Sequence, residues 1–178
     1  VPVLPVPSLA APVTGTPISQ AYLTQQVYNP LMFVLGKPVA TLLQTSAWNT
    51  PNNVTPYNTV PWQSSGIDNW GGHSNSTNNT RYTVQVAGIY QLSGAVTWQA
   101  NATGVRAAEF MKNGSALGGT NLYMPASSSN FFTVSLPAYI VQCAVGDYLE
   151  IGGYQSSGSA LATVTGGSYF SISYLGQQ

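Results

Sequence analysis

Few residues in this chain can do covalent or acid–base chemistry. Among 178 residues there is one histidine (His73), one cysteine (Cys143), four acids (Asp68, Glu109, Asp147, Glu150) and four bases (Lys37, Arg81, Arg106, Lys112). A Ser-His-Asp triad holds a histidine between a nucleophile and a carboxylate. His73 has Asp68 and Ser74 nearby, but serine is abundant throughout, so the proximity selects nothing. A loop histidine that bonds to backbone is the better reading. Glycoside hydrolysis uses two carboxylates flanking a sugar. Asp147 is already explained by a Gly146-Asp147 turn ahead of a strand, and the other acids are scattered. Zinc takes several Cys or His ligands, and the chain has two such residues. Calcium wants clustered carboxylates, and Asp68 beside Asn69 is too little. No phosphate-cradling glycine loop precedes a helix. The inventory argues against an enzyme and calls for no cofactor and no metal.

Recognition chemistry is better represented. Trp70 sits in the loop Asp68-Asn69-Trp70-Gly71-Gly72, with His73 next. Aromatic faces stack on sugar rings while amides bond hydroxyls, so Trp70, Asn69 and His73 are the candidate glycan contacts. The alternative is that tryptophans fill a core or an interface, which fits Trp98, on an expected strand. Glu109 stands three residues from both Arg106 and Lys112. On a strand that spacing puts side chains on opposite faces. Arg81, Arg106 and Glu109 are therefore candidates for ion pairs between subunits, against plain surface exposure. Asn-X-Ser/Thr sequences at Asn53, Asn75, Asn78, Asn101 and Asn113 are explained by the Asn- and Thr-rich composition.

The composition says what kind of surface carries these groups. Charged residues make up 4% of the chain, against a typical value of about 25%. Net charge is zero, so no basic stripe exists to neutralise phosphates and no nucleic acid is expected. No stretch approaches the ~20 apolar residues of a membrane span. The start, VPVLPVPSLAAPV, lacks the basic residues of a signal peptide. A surface of Ser, Thr, Asn, Gln and Gly provides little repulsion between copies. It suits a protein inside a larger assembly, or an extracellular domain of unusual surface. Cys143 follows the apolar run 138–141 and reads as a buried free thiol.

The elements that must position these residues fall into three segments. Residues 1–17 carry Pro2, Pro5, Pro7, Pro12 and Pro17, which favour an extended arm. Val3, Leu4, Val6 and Leu9 between them suit docking onto a neighbour. Residues 18–38 read as a short helical linker. Ser19 or Pro17 starts it, Ile18, Tyr22, Leu23 and Val27 recur at helical spacing, Pro30 breaks or kinks it, and Gly36 caps it. Residues 39–178 are β: short runs between Gly, Asn, Ser and Pro clusters. Strands are expected over 40–48, 57–62, 82–86, 88–99, 105–112, 115–123, 131–141, 148–155, 160–164 and 168–175. Asn113-Gly114 is a hairpin signal. About ten short strands without intervening helices imply an all-β antiparallel sandwich of jelly-roll type, with an N-terminal extended arm and a short kinked helix.

Four motifs occur in order: Gly88-Ile89-Tyr90-Gln91-Leu92-Ser93-Gly94, then Lys112-Asn113-Gly114, then Val145-Gly146-Asp147-Tyr148-Leu149-Glu150-Ile151, then Tyr169-Phe170-Ser171-Ile172-Ser173-Tyr174-Leu175-Gly176. Over about residues 40–176 this resembles the superfamily of the complement globular head and tumour necrosis factor. A narrower resemblance is to small virion proteins of tailed phages of actinobacteria. It is carried by Gly72-His73-Ser74, Thr77-Asn78-Asn79-Thr80-Arg81, Val96-Thr97-Trp98, Asn101-Ala102-Thr103-Gly104-Val105-Arg106 and Tyr154-Gln155-Ser156-Ser157-Gly158. The leader departs from that pattern in lacking basic residues and in its density of proline. The resemblance implies a homotrimeric structural protein on the phage particle surface. It would be a capsid decoration, head fibre or tail-associated protein, held to other virion proteins through residues 1–36. Two alternatives follow: a tail adhesin recognising host cell-surface carbohydrate, or a secreted cytokine-like or lectin-like binding module.

Overall fold

The structure is a computed structural model that describes Ala10, Gly15 and residues 17–177. The arm residues Val3, Leu4, Val6 and Leu9 lie outside the described residues. Among the described residues thirteen strands follow one helical segment: β1 Val39–Leu43, β2 Asn49–Thr50, β3 Asn58–Thr59, β4 Ser64–Asp68, β5 Arg81–Thr83, β6 Gly88–Trp98, β7 Asn101–Lys112, β8 Ser115–Ala116, β9 Leu122–Ser127, β10 Phe132–Cys143, β11 Tyr148–Gln155, β12 Leu161–Ala162 and β13 Tyr169–Gly176.

They form an antiparallel sandwich. The first sheet runs β10-β6-β13-β1-β4. The second is built on β11 and β7, with β3 and β5 along the free side of β11 and β8 and β9 along that of β7. A small β2–β12 pair lies beside them. Alternation explains which residues form the core. Tyr90, Leu92 and Val96 of β6 and Phe170, Ile172 and Tyr174 of β13 point inward and are buried. Phe110 of the second sheet stacks on Phe170 of the first at 5.9 Å, which joins the two layers. Trp98 lies fully inside, its indole N–H donating to Thr50 Oγ1 at 3.0 Å. Cys143 is buried and free.

The Asn113-Gly114 turn has φ of 53° and 76°, the paired left-handed geometry that a two-residue hairpin requires. Two of the expected strands are divided. The stretch 115–123 breaks after Ala116 and resumes at Leu122, because Gly119 takes a φ of 79°. The stretch 40–48 pairs only as far as Leu43. Beyond it, Thr45 and Ser46 donate backbone N–H groups to Gln63 Oε1.

Gln20–Leu35 is one helical segment with a wide π-helical stretch at Thr24–Tyr28 in its middle. Ser19 caps the start, its Oγ accepting from Tyr22 N at 3.1 Å. The π stretch stands directly before Pro30, whose ring would clash with the carbonyl four residues back in a regular helix. The helix therefore passes the proline, where a break or kink was expected, by widening. Gly36 ends it, donating to Met32 O.

Candidate functional site: an uncharged sheet face and a helix joint

The register fixes what each sheet shows to the outside. On the first sheet the outward residues form rows across the strands. Leu43, Tyr169, Ala95 and Ser135 make one; Thr41, Ser171 and Ser93 the next; Val39, Ser173, Gln91 and Ile140 a third. Asp68 is the only charged residue in these five strands. Its carboxylate is occupied, accepting from Gly72 N and His73 N at 3.1 and 2.9 Å. Ile67, Ile140, Tyr169 and Leu175 are exposed on or beside this face. The result is a broad surface of hydroxyls, amides and apolar groups with no charge to desolvate when another protein covers it.

The charges gather on the other sheet. Arg81 lies over the Tyr148 ring at 4.6 Å and opposite Glu150 in the β5–β11 pairing. Burial raises the proton affinity of Glu150, and an accepted bond from Thr80 Oγ1 at 2.8 Å opposes that. Arg106 is 1% exposed. It shares the inward side of β7 with Ala108 and Phe110 and donates to the carbonyls of Asn101, Thr103 and Val105. Burial lowers its proton affinity. Its guanidinium gathers the irregular start of β7, where the pairing with β9 shifts register, and has no outer surface to offer another subunit. Glu109, also buried, has its carboxyl raised by desolvation while Asn121 donates to Oε2 at 2.8 Å. Tyr57 bonds the same Asn121 and stacks on Tyr154. Arg81, Arg106 and Glu109 thus have contacts within their own copy, and the fold does not bring the three together.

The loop tryptophan also has a structural task. Trp70 is buried and donates its indole N–H to Gly36 O at 2.7 Å. Asn69 donates to Lys37 O and accepts from Val39 N, both at 2.8 Å. Phe33 completes the joint. It meets Trp70 and Tyr174 edge to face at 5.9 and 5.7 Å, and it is the one buried residue of the helix. Lys37 Nζ donates to Leu175 O. The Asn69-Trp70 pair therefore fastens residues 36–39, at the end of the helix, to the sandwich, and neither lines the cleft that holds His73. His73 lines a cleft of about 290 Å³ with Ser74, Thr77, Asn78, Arg81, Thr83 and Gln85. Its Nδ1 lies 2.9 Å from Arg81 O. A carbonyl only accepts, so Nδ1 carries the proton. Nε2 has no partner among the described residues.

Sequence reasoning missed the outward rows and Phe33. Ser93, Ser171 and Ser173 did carry a signal: the polar members of these strands are uncharged at every alternate position. Among the described residues no helix is long and apolar enough to cross a membrane. No group of three or more His, Cys, Asp or Glu residues there could hold a metal.

This architecture is the jelly roll seen in complement globular heads and tumour-necrosis-factor ligands. The globular domain of zebrafish complement 1qA protein superposes with a TM-score of 0.55 at 12% identity, over 80% of this chain and 100% of that one. Murine APRIL gives 0.57 at 15% identity, over 78% and 98%. Eiger TNF from S. frugiperda gives 0.54 at 10% identity, over 80% and 96%. At these identities the likeness is one of fold. No protein-family model matches the sequence, and no curated protein matches it either.

Proposed function

We propose that this chain is a non-enzymatic structural virion protein of a tailed bacteriophage. It acts as a homotrimer at the particle surface, as a capsid decoration, head fibre or tail-associated protein. Its N-terminal leader holds it to other virion proteins and its jelly roll is displayed. The observation that carries the assembly part is the uncharged outward face of the first sheet. A surface that neither repels its own copies nor loses ion hydration on burial is suited to a permanent contact between copies. The phage context rests on the sequence resemblance.

The assembly test is light scattering. The native chain is expected at trimer mass. Ile140→Lys puts a charge on the β10 edge of the face, at a position 61% exposed in one copy, and is expected to give folded monomer. A native chain of monomer mass overturns the reading. The virion test is mass spectrometry of purified particles, together with binding to empty capsids with and without residues 1–17. Absence of the chain from particles refutes it.

A second reading, a tail adhesin that contacts host carbohydrate, is favoured by the His73 cleft. Ser74, Thr77, Asn78 and Arg81 line that cleft with hydroxyl, amide and guanidinium groups, and His73 forms part of its wall. In that case the trimer binds host envelope polysaccharide, and His73→Ala loses that binding while remaining trimeric. Equal binding by the variant rejects the cleft.

A further inference from the structure

We propose that Gln20–Leu35 packs against the same segment of two further copies, as a parallel three-helix bundle continuing the trimer of sandwiches. The inference rests on the trimer reading above. The segment exposes Leu23, Val27, Tyr28, Leu31, Val34 and Leu35. Most of these share one side. In an α-helix a four-residue step runs about 40° past a full turn. The π stretch at Thr24–Tyr28 turns less per residue, so Leu23, Val27 and Leu31 stay in line. Val34 and Leu35 flank that line, and Phe33 faces the other way into the joint.

Such a helix does not hold itself. Isolated helices under about 12–15 residues are marginal, and somewhat longer ones need good helix formers. This one has no charged residue to form pairs along its surface, and it contains Pro30 and two valines. Something must cover the apolar side, and three observations select a sister copy. The first is position. Phe33, Trp70, Asn69 and Lys37 lock the helix to the ends of β1 and β13, strands of the sheet whose uncharged face we assign to the contact between copies. The second is charge. Residues 1–36 contain none. Identical surfaces around a threefold axis set like groups against like, and this side has no charges to repel. A different partner protein would gain specificity from complementary charge, and here there is none to complement. The third is area. Six partly exposed apolar side chains offer on the order of 600 Å² per copy, short of the ~800 Å² per partner of a standard interface. The helix is thus too small to hold copies together alone but enough to extend a contact the sheets already make. Ala10 N donates to Gln26 Oε1 at 2.9 Å, about 100° round the helix from Val27. Ala10 therefore touches a flank of the helix and does not sit on the stripe.

The test places a pyrene label at Leu31→Cys or at Gln25→Cys, each with Cys143→Ala, and adds light scattering on the same samples. Leu31 is on the stripe and exposed in a single copy, and Gln25 is exposed on the opposite side, so neither change empties a core. Packed helices lie about 8–10 Å apart, close enough for pyrenes to form excimers. The expected result is trimer mass for both and excimer emission from position 31 alone; Val27→Cys repeats it one turn earlier. Trimer mass with no excimer at 31, or equal excimer at 31 and 25, overturns the bundle and leaves the trimer standing. The first of these is the outcome if the stripe instead docks on another virion protein. Monomer mass overturns the trimer and the bundle with it.

Discussion

Replacing Phe33 by alanine should free the helix and leave the sandwich intact. Phe33 is the one buried residue between Gln20 and Leu35, so the helix is tied through this ring and the chain just after it. Phe→Ala in a core costs about 3–5 kcal/mol. The cavity here opens at the edge of the fold, so about 3 kcal/mol is the fitting figure, including the two edge-to-face pairs with Trp70 and Tyr174 at roughly 0.5–1.5 kcal/mol each. What remains is Trp70 Nε1 to Gly36 O and the Asn69 bonds to Lys37 O and Val39 N, about 1 kcal/mol each. Those bonds hold residues 36–39, not the helix above them. A loss of about 3 kcal/mol is roughly a hundredfold increase in the undocked population. Hydrogen exchange reads this directly. Amides of Met32–Gly36 should exchange about a hundredfold faster. Amides of Phe110, Ile151 and Leu92 should keep their native rates. Phe33→Leu, which keeps most of the volume, should fall between. Unchanged exchange at the helix, or equal acceleration in the core strands, would refute a separately held joint.

Three further outcomes follow from single side chains. Asp147 accepts from Asn113 Nδ2, Lys112 Nζ and Ala144 N, and the Asn113 and Lys112 bonds hold its carboxyl down to about 2 from an ordinary 3.8. A depressed carboxyl stabilises above its unfolded value and loses that as pH falls, so Asp147→Asn should cost up to roughly 2 kcal/mol near pH 6 and almost nothing by about pH 2. The side chain is 16% exposed, so solvent trims this figure. Urea titrations at fixed protein concentration check it, and a cost independent of pH would reject the assignment. Gly104 has φ of 74°, and a Cβ there would fall 1.9 Å from Ser156 O. Gly104→Ala should cost at least about 1–3 kcal/mol by thermal melting, and a neutral result would mean the irregular start of β7 takes another shape. Burial pushes the Cys143 thiol up to about 11, so iodoacetamide should label it only after denaturation; labelling of the native protein at pH 8 would contradict that burial.

How much of this was legible depended on which signal each segment carried. Phe170-Ile172-Tyr174 alternate in sequence and are buried in the fold, because a half-buried strand writes its period into the chain; Tyr82, Val84 and Val86 are buried too, but the strand expected over 82–86 pairs only at Arg81–Thr83. The Asn113-Gly114 hairpin was legible because the turn demands those residues. β4, Ser-Ser-Gly-Ile-Asp, was not. It is an edge strand whose one large apolar side chain, Ile67, points outward, so it leaves no inward pattern to read. β9 is similar, with Pro125 inside it and little buried. Trp70 was read as a loop platform because Asp, Asn and Gly surround it. Its ring packs against Phe33 and its N–H bonds Gly36 O, residues far away in sequence, and no local pattern reports that. The outward rows become visible only once register is known, since Thr41, Ser171 and Ser93 come from three distant strands.

The few charges mostly have tasks inside their own copy. Asp68 pins the loop through Gly72 and His73. Asp147 pins the β10–β11 turn, and Arg106 gathers three carbonyls at the irregular start of β7. Lys37 ties the joint to Leu175. Half of the eight charged side chains therefore fix loops, and hardly any are left to keep copies apart. A protein with net charge zero and an uncharged sheet face has little electrostatic barrier to association. Evolution toward a free monomer would add Lys or Glu at Ser93, Ser171 or Ser173, which lie on the outward side of the sheet. These outward positions carry serine in a fold that buries Arg106 elsewhere, and under the trimer reading proposed above this is the face that meets the other copies.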